Sequence, residues 1–220
     1  MKLFISVLVF TFSFAAFVAG QNGESVRYLD STYNSNQTDS LEVLYAVNKI
    51  IPGEYKTPIL LALSYFPELD STTVVFKENK IRTTLNTRPT MLSLIFRKRE
   101  KRKYVIRINN SQKKEKILLN ELPFNASVGI LGHEYSHIID YNNRGFFGVL
   151  KRAFSYLSKK SKSKFEKKID TNTINRGLGW QLYDLSDYIL NKSDATEKYK
   201  KFKKRTYLTP KDIKVIIDNQ

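Results

Sequence analysis

Apolar residues recur at helical spacing in two stretches of the first third of the chain. The first stretch begins at Asp39 and places its apolar residues three or four apart, at Leu41, Leu44, Val47 and Ile51. This period predicts an amphipathic helix that Pro52 ends. Thr57 and Pro58 then have the form of a helix start, with proline in the first turn. The apolar residues that follow predict a short buried helix: Ile59, Leu60, Leu63 and Phe66.

A region rich in β-branched and aromatic residues comes next and predicts a sheet. It has four runs of strand length, at residues 72–76, 81–87, 91–96 and 104–109. The basic residues of 97–103 separate the last two runs, so we expect a solvated hairpin tip there. Residues 104–109 are the last predicted strand before the next helix. They are either an edge on which an extended peptide substrate could pair or an ordinary internal strand.

Helical patterns dominate the second half of the chain. Asn125 can cap a helix to about Tyr141, and a second helical segment covers 146–168. That segment has an apolar stripe that is either core or a wall facing a substrate, and we expect core: Phe147, Leu150, Phe154 and Leu157. Two more helices are predicted at 179–190 and after the capping box that begins at Thr209. One group of strands among separate helices predicts the α+β class.

The N-terminus has the pattern of a secretory signal peptide. Lys2 precedes an apolar run, and Gly20 is a small residue suited to cleavage after it. We expect a signal peptide at 1–20, a flexible polar lead-in at 21–37 and one folded domain at 38–220; an uncleaved anchor is the alternative for 1–20. These features predict a secreted or periplasmic protein.

Charge and cysteine content restrict the partners and the site. The formal charge is +16, or +15 without Lys2, and such a surface favours acidic partners, among them an anionic cell-envelope surface. Export argues against nucleic acid, and a basic surface without any dedicated partner is the alternative. The chain has no cysteine, so disulfides are excluded and a metal site must use histidine and carboxylate ligands.

The only two histidines of the chain stand four residues apart, in the HExxH motif His133-Glu134-Tyr135-Ser136-His137. On a helix, residues i and i+4 point from one face, so both imidazoles can reach one tetrahedral ion. Glu134 follows the first histidine and can accept a proton from a water that attacks a carbonyl. The motif therefore predicts a Zn²⁺ site in which Glu134 is the catalytic base.

A catalytic zinc needs a third protein ligand, which must be a carboxylate here. A metzincin pattern would need Gly at Asp140 and His at Asn143, and both are missing. Glu166 is our preferred ligand, because it lies on a predicted helix with Asp170 one turn later; Asp140, Asp170 and Asp184 are the alternatives. A residue that stabilises the developing oxyanion is also expected, and Tyr183 or Arg176 could take that role.

HExxH followed by Glu166-x-x-x-Asp170 on a second helix resembles the gluzincins, and the compact layout resembles the minigluzincins. The resemblance covers about residues 72–190. It implies a zincin-like domain in which a small twisted sheet accompanies the HExxH helix. It also implies that Glu166 completes the zinc site and that Asp170 holds a ligand histidine by a hydrogen bond.

Two classes of function follow from these features. The first is a secreted zinc metallopeptidase that acts on peptide or protein substrates, with hydrolysis of another amide as a close variant. The second is a non-catalytic, basic envelope-binding protein whose metal site is structural or vestigial. Glu134 favours the first class, because a purely structural metal site needs no base beside its first ligand.

Overall fold

The computed structural model describes residues 26–29, 35–111 and 117–220, in which one small sheet lies among nine α-helices. The strands are β1 (Lys49–Ile50), β2 (Thr73–Asn79), β3 (Leu85–Pro89) and β4 (Lys103–Asn109). The helices are α1 (Ser35–Tyr45), α2 (Lys56–Leu63), α3 (Met91–Phe96), α4 (Phe124–Asn142), α5 (Phe146–Ser155), α6 (Lys159–Thr173), α7 (Gly179–Asp187), α8 (Glu197–Thr206) and α9 (Pro210–Asp218). The predicted α+β class with a single small sheet is confirmed.

The sheet has the order β1-β2-β4-β3. The first three strands in this order are parallel, whereas β3 runs antiparallel to β4. Alternate residues of β4 are buried on one face of the sheet, as expected for a half-buried strand: Tyr104, Ile106 and Ile108. Because β4 lies between β2 and β3, the hypothesis that residues 104–109 form a substrate-binding edge is wrong. The edge strand that runs antiparallel to its neighbour is β3.

Helix α4 is buried on almost every side, between α2, α7 and β3. Two glycines allow this close packing. A Cβ atom on Gly129 would collide with the backbone carbonyl of Gln181 in α7, and one on Gly132 would collide with the Leu178 side chain. Between α6 and α7, Gly177 has a φ of 87°, a backbone conformation that glycine adopts without steric cost. The chain therefore turns tightly enough to bring α7 back against α4.

The predicted signal peptide lies outside the described residues, as does most of the predicted lead-in. Of the lead-in, residues 26–29 pack on the body of the protein. The Arg27 guanidinium donates two hydrogen bonds to the Asp184 carboxylate, at 2.9 and 3.0 Å, and lies 4.7 Å from the Trp180 ring. Residues 35–37 form the first turn of α1. No helix in the described ranges is long and apolar enough to cross a membrane.

Two predicted elements differ in kind from the structure. The run 91–96 was expected to be a strand and is helix α3, in which only Ser93 and Leu94 are buried. The Ser93 hydroxyl accepts a hydrogen bond from the Lys103 backbone N–H at 3.0 Å, which holds α3 against the start of β4. The basic segment after α3 is therefore not a hairpin tip. Its member Arg102 is buried and donates to the carbonyl oxygens of Tyr141 and Arg144, at 2.9 and 2.8 Å.

Helix boundaries also differ from the prediction in two places. The first helix begins earlier than Asp39 and ends at Tyr45, because Asn48 has a left-handed φ of 61° and residues 49–50 form β1. Asn125 does not cap α4, whose N-cap is Pro123. Its buried amide instead accepts from the Leu29 backbone N–H and donates to the Arg27 carbonyl oxygen, both at 3.1 Å.

The segment 146–168, for which a helical period was predicted, forms two helices, α5 and α6. Its apolar stripe was expected in the core, and this expectation is wrong. Phe147 and Leu157 are 81% and 83% exposed. Phe154 is also largely exposed, and Leu150 is exposed to a smaller extent. The periodicity identified a common face but not whether anything covers that face.

Candidate metal centre

Two helices supply the residues of the predicted site. His133 and His137 lie one turn apart on α4, and Glu166 and Asp170 lie one turn apart on α6. All four side chains are buried, together with Glu134. The structure therefore brings together the five residues that the sequence predicted for the site.

Three ligand atoms converge with separations that suit a small tetrahedral ion. The two histidine Nε2 atoms are 3.2 Å apart, and Glu166 Oε2 lies 3.3 Å from His133 Nε2 and 3.4 Å from His137 Nε2. Zinc–ligand bonds of about 2.0–2.1 Å at tetrahedral angles place neighbouring ligand atoms about 3.3 Å apart. The two histidines and one glutamate therefore form a group that could hold a metal ion.

The electrostatics of this group favour a positive charge at its centre. Burial would raise the pKa of Glu166, but the two imidazoles lower it well below its usual value. Burial would likewise lower the pKa of His133, but Asp170 and Glu166 raise it to about 10. Glu166 Oε2 is buried without a hydrogen-bond donor within the described part of the chain. A cation between the three ligand atoms would satisfy this oxygen.

Asp170 orients His133 from behind the metal group. Its Oδ1 lies 2.8 Å from His133 Nδ1, and its Oδ2 accepts the backbone N–H of Leu208 at 2.8 Å. A carboxylate only accepts hydrogen bonds, so in the neutral imidazole that binds a metal Asp170 holds the His133 proton on Nδ1, and the Nε2 lone pair faces the other ligand atoms. The role that the resemblance implied for Asp170 is consistent with this contact.

The other carboxylates considered as ligands are engaged elsewhere. Asp140 accepts two hydrogen bonds from each of two arginines, Arg144 and Arg152, at 2.9–3.1 Å. Asp184 pairs with Arg27 and also accepts from the Asn125 amide. Neither belongs to the metal-binding group. Glu166 is therefore the carboxylate best placed to be the third ligand.

Glu134 lines a pocket beside the metal group and is not part of that group. Its Oε2 is buried and has no hydrogen-bond partner among the described residues. His133 and Asp170 line the same pocket, as do Thr83 and Thr84, which directly precede β3, and Leu85, its first residue. The rest of the wall is mainly apolar: Ile130, Leu182, Leu185, Ile189, Leu190, Leu208 and Ile213. The pocket thus joins a free carboxylate oxygen to space for an apolar side chain.

Two tyrosines that the sequence did not single out complete the surroundings of the metal group. The Tyr207 ring packs edge-on against His133, with centroids 5.6 Å apart, and the Tyr156 ring packs on Phe165 next to Glu166. Burial and the charge of Glu166 raise the pKa of both phenols, so both remain protonated donors at neutral pH. Only tertiary packing brings them here, and no local motif marks them.

The residues first suggested for the oxyanion lie elsewhere. Arg176 donates to the Glu68 carboxylate at 2.7 and 2.9 Å, and Tyr183 packs on Trp180. Neither lines the pocket that contains Glu134.

The comparisons with known proteins add nothing to this site, which is therefore argued only from the residues described above. The chain matches no protein-family model, and neither the curated proteins nor the solved structures include a significant match to it.

Proposed function

We propose that the protein is a zinc-dependent metallopeptidase in which Glu134 is the general base. The observation that carries the proposal is the buried, unpartnered Glu134 carboxylate oxygen in a pocket that His133 also lines. A structural metal site gains nothing from an ionisable group in such a position, and burial without a partner costs free energy. A position beside an attacking water explains why that carboxylate is there.

Zinc suits the donor set of two imidazoles and one carboxylate, and His133, His137 and Glu166 would hold it. When bound, zinc supplies Lewis acidity, which polarises a carbonyl and lowers the pKa of a water to about 7. Glu134 accepts the proton of the attacking water and delivers it to the leaving amine. Asp170 keeps the His133 Nε2 lone pair free for the ion. Tyr156 or Tyr207 donates a hydrogen bond to the oxygen that becomes negative.

The substrate is an extended peptide that pairs with β3. Among the described residues, β3 pairs only with β4, so the backbone groups of Thr87 on its outer edge are open to a peptide, whereas the Leu85 carbonyl oxygen accepts from the Thr83 hydroxyl at 2.6 Å. Thr83, Thr84 and Leu85 line the pocket together with Glu134, so a strand laid along β3 would carry its scissile bond past the metal group. The apolar pocket wall favours an apolar side chain next to that bond. This arrangement, an edge strand above an HExxH helix with Glu166 on a later helix, supports a zincin-like domain of the gluzincin type.

The test compares Glu134→Gln with the wild type in a mass-spectrometric peptide-library assay and in a metal analysis. We expect Glu134→Gln to retain stoichiometric zinc and to lose most cleavage, about 10²–10⁴-fold in kcat, because a general base contributes about that factor. Glu78→Gln, an exposed glutamate on β2, is the matched control and should leave both measurements unchanged. Full cleavage by Glu134→Gln would refute the mechanism. An absence of peptide cleavage by the zinc-loaded wild type would refute the assignment to peptidases.

A further inference from the structure

Exposed apolar side chains are concentrated on two short helices, α3 and α5. On α3 they are Met91, Leu92, Ile95 and Phe96; on α5 and directly after it they are Phe147, Leu150, Phe154 and Leu157. Phe96 and Phe147 are 79% and 81% exposed. Large contiguous apolar surfaces are uncommon on monomeric proteins and usually mark an interaction site.

One buried arginine links the starts of the two helices. Arg102 follows the segment after α3, and its guanidinium bonds the carbonyl oxygens of Tyr141 and Arg144, just before α5. At the start of α3, the Thr90 backbone N–H donates to the Lys103 carbonyl oxygen at 2.8 Å. Both helices therefore begin beside the start of β4. We call this surface, formed by residues 91–101 and 146–160, the α3–α5 face.

The charge around these apolar residues is almost entirely positive. Residues 79–99 and 141–165 contain no Asp or Glu, and Glu100 is the only acidic residue of the α3–α5 face. Its exposed cations are Arg97, Lys98, Arg99, Lys101, Lys151, Lys159 and Lys160. None of these cations forms an ion pair with any residue that the structure describes. Their charge is therefore available to a partner.

We propose that the α3–α5 face docks on an anionic lipid bilayer. Exposed aromatic and aliphatic side chains beside unpaired lysines and arginines are the chemistry of interfacial membrane binding. A protein partner fits less well, because lysine is depleted in protein–protein interfaces whereas an anionic leaflet attracts it. The apolar side chains insert among the headgroups, and the cations contact lipid phosphates and carboxylates.

Docking by this face would hold the metal group close to the lipid surface. Tyr156 directly follows α5, and its ring packs against Phe165, the neighbour of Glu166. The proposal does not depend on hydrolysis, since it concerns a surface that contains none of the metal ligands or Glu134. Membrane binding should therefore be the same for the wild type and Glu134→Gln.

The test is co-sedimentation with vesicles of phosphatidylcholine alone and of phosphatidylcholine mixed with phosphatidylserine. We expect binding to the mixed vesicles only, weakening as salt rises. The triple variant Lys98→Gln/Lys151→Gln/Lys159→Gln should lower partitioning on the order of 100-fold, since each cation near an anionic surface contributes about fivefold. The matched control removes the same charge from exposed lysines of α8: Lys198→Gln/Lys201→Gln/Lys204→Gln. It should bind almost as the wild type does.

A second pair of variants tests the apolar part of the face. Phe147→Ser should weaken vesicle binding at least tenfold, whereas Val43→Ser, at a 79% exposed position on α1, should not. Thermal unfolding should be unchanged in the two lysine triples and the two serine variants, because every side chain altered in them is exposed. Equal losses in the two lysine triples would show attraction by net charge alone and overturn the proposal. No binding to mixed vesicles at low salt would also overturn it, and would leave a protein partner for the face.

Discussion

Asp170 allows the roles of orientation and stability to be separated by two substitutions. The carboxylate accepts from His133 Nδ1 and from the Leu208 backbone N–H. Asp170→Ala leaves both donors without an acceptor. A fully buried unpaired donor costs about 1–3 kcal/mol, and the half-buried Leu208 N–H falls at the low end, so the loss in unfolding free energy is about 2–4 kcal/mol. This loss should be measured by urea unfolding in the presence of a chelator.

Asp170→Asn should behave differently, because an amide can form hydrogen bonds to both neighbours only if His133 changes its tautomer. Its oxygen can accept from Leu208 while its NH₂ donates to His133 Nδ1, which moves the histidine proton to Nε2. That nitrogen is the expected metal ligand. We therefore expect Asp170→Asn to lose less unfolding free energy than Asp170→Ala does and to bind zinc about 10- to 100-fold more weakly than the wild type.

Zinc affinity should be measured by competition with a chromophoric chelator, with Asp218→Asn as the control. Asp218 is an exposed residue of α9 that pairs with Lys214, so its substitution should leave zinc affinity unchanged. Wild-type zinc affinity in Asp170→Asn would refute the orienting role of Asp170. Wild-type stability in Asp170→Ala would show that the two hydrogen bonds contribute nothing to folding.

Three further predictions concern packing, catalysis and pH. Gly129→Ala should lower the unfolding free energy by about 1–3 kcal/mol, because the new methyl group collides with α7; equal denaturation midpoints would contradict this. Of Tyr156→Phe and Tyr207→Phe, the variant that loses the oxyanion donor should lower kcat about 10²–10³-fold with KM little changed, and no effect in either would exclude both. Burial would raise the pKa of Asp140, but its two arginines lower that pKa. The stability that the Asp140 carboxylate contributes is therefore present above its unfolded pKa of about 3.9 and is lost as pH falls through the lower folded pKa. Asp140→Asn should flatten the unfolding free energy in that acid range, and an unchanged pH profile would argue against the pairing.

The sequence predicted the site best where both residues of a pair lie on one helix. The i, i+4 spacing of His133 and His137 dictates a shared helix face in any tertiary context, and the same holds for Glu166 and Asp170. The apposition of the two pairs follows once α4 and α6 pack together. Of the four carboxylates considered, only Glu166 and Asp170 contact the histidines. Spacing therefore placed the site well, although it could not show that Asp140 is held by arginines.

The features that were predicted wrongly or missed depend on tertiary contacts. Residues 91–96 are too short and too uniformly apolar for their period to distinguish a strand from a helix. The order of strands along the chain does not specify that β4 lies inside the sheet, since parallel crossovers separate sequence neighbours. Tyr156 and Tyr207 reach the metal group from separate helical segments. Asn125 has the composition of a cap, but its amide is used by residues distant in sequence.

The contacts of residues 26–29 set a length scale for the N-terminus. With Arg27 fixed to Asp184, residue 20 can lie no more than six peptide units from the anchored Val26, or about 20 Å at full extension. If the apolar leader remained in a bilayer, this short tether would confine the protein to the membrane surface whatever its other affinities. If a peptidase cleaves after Gly20, the bond that it must reach lies at a distance from the folded part of the protein that is smaller than the width of a small domain. Cleavage would then be fastest before residues 26–29 dock.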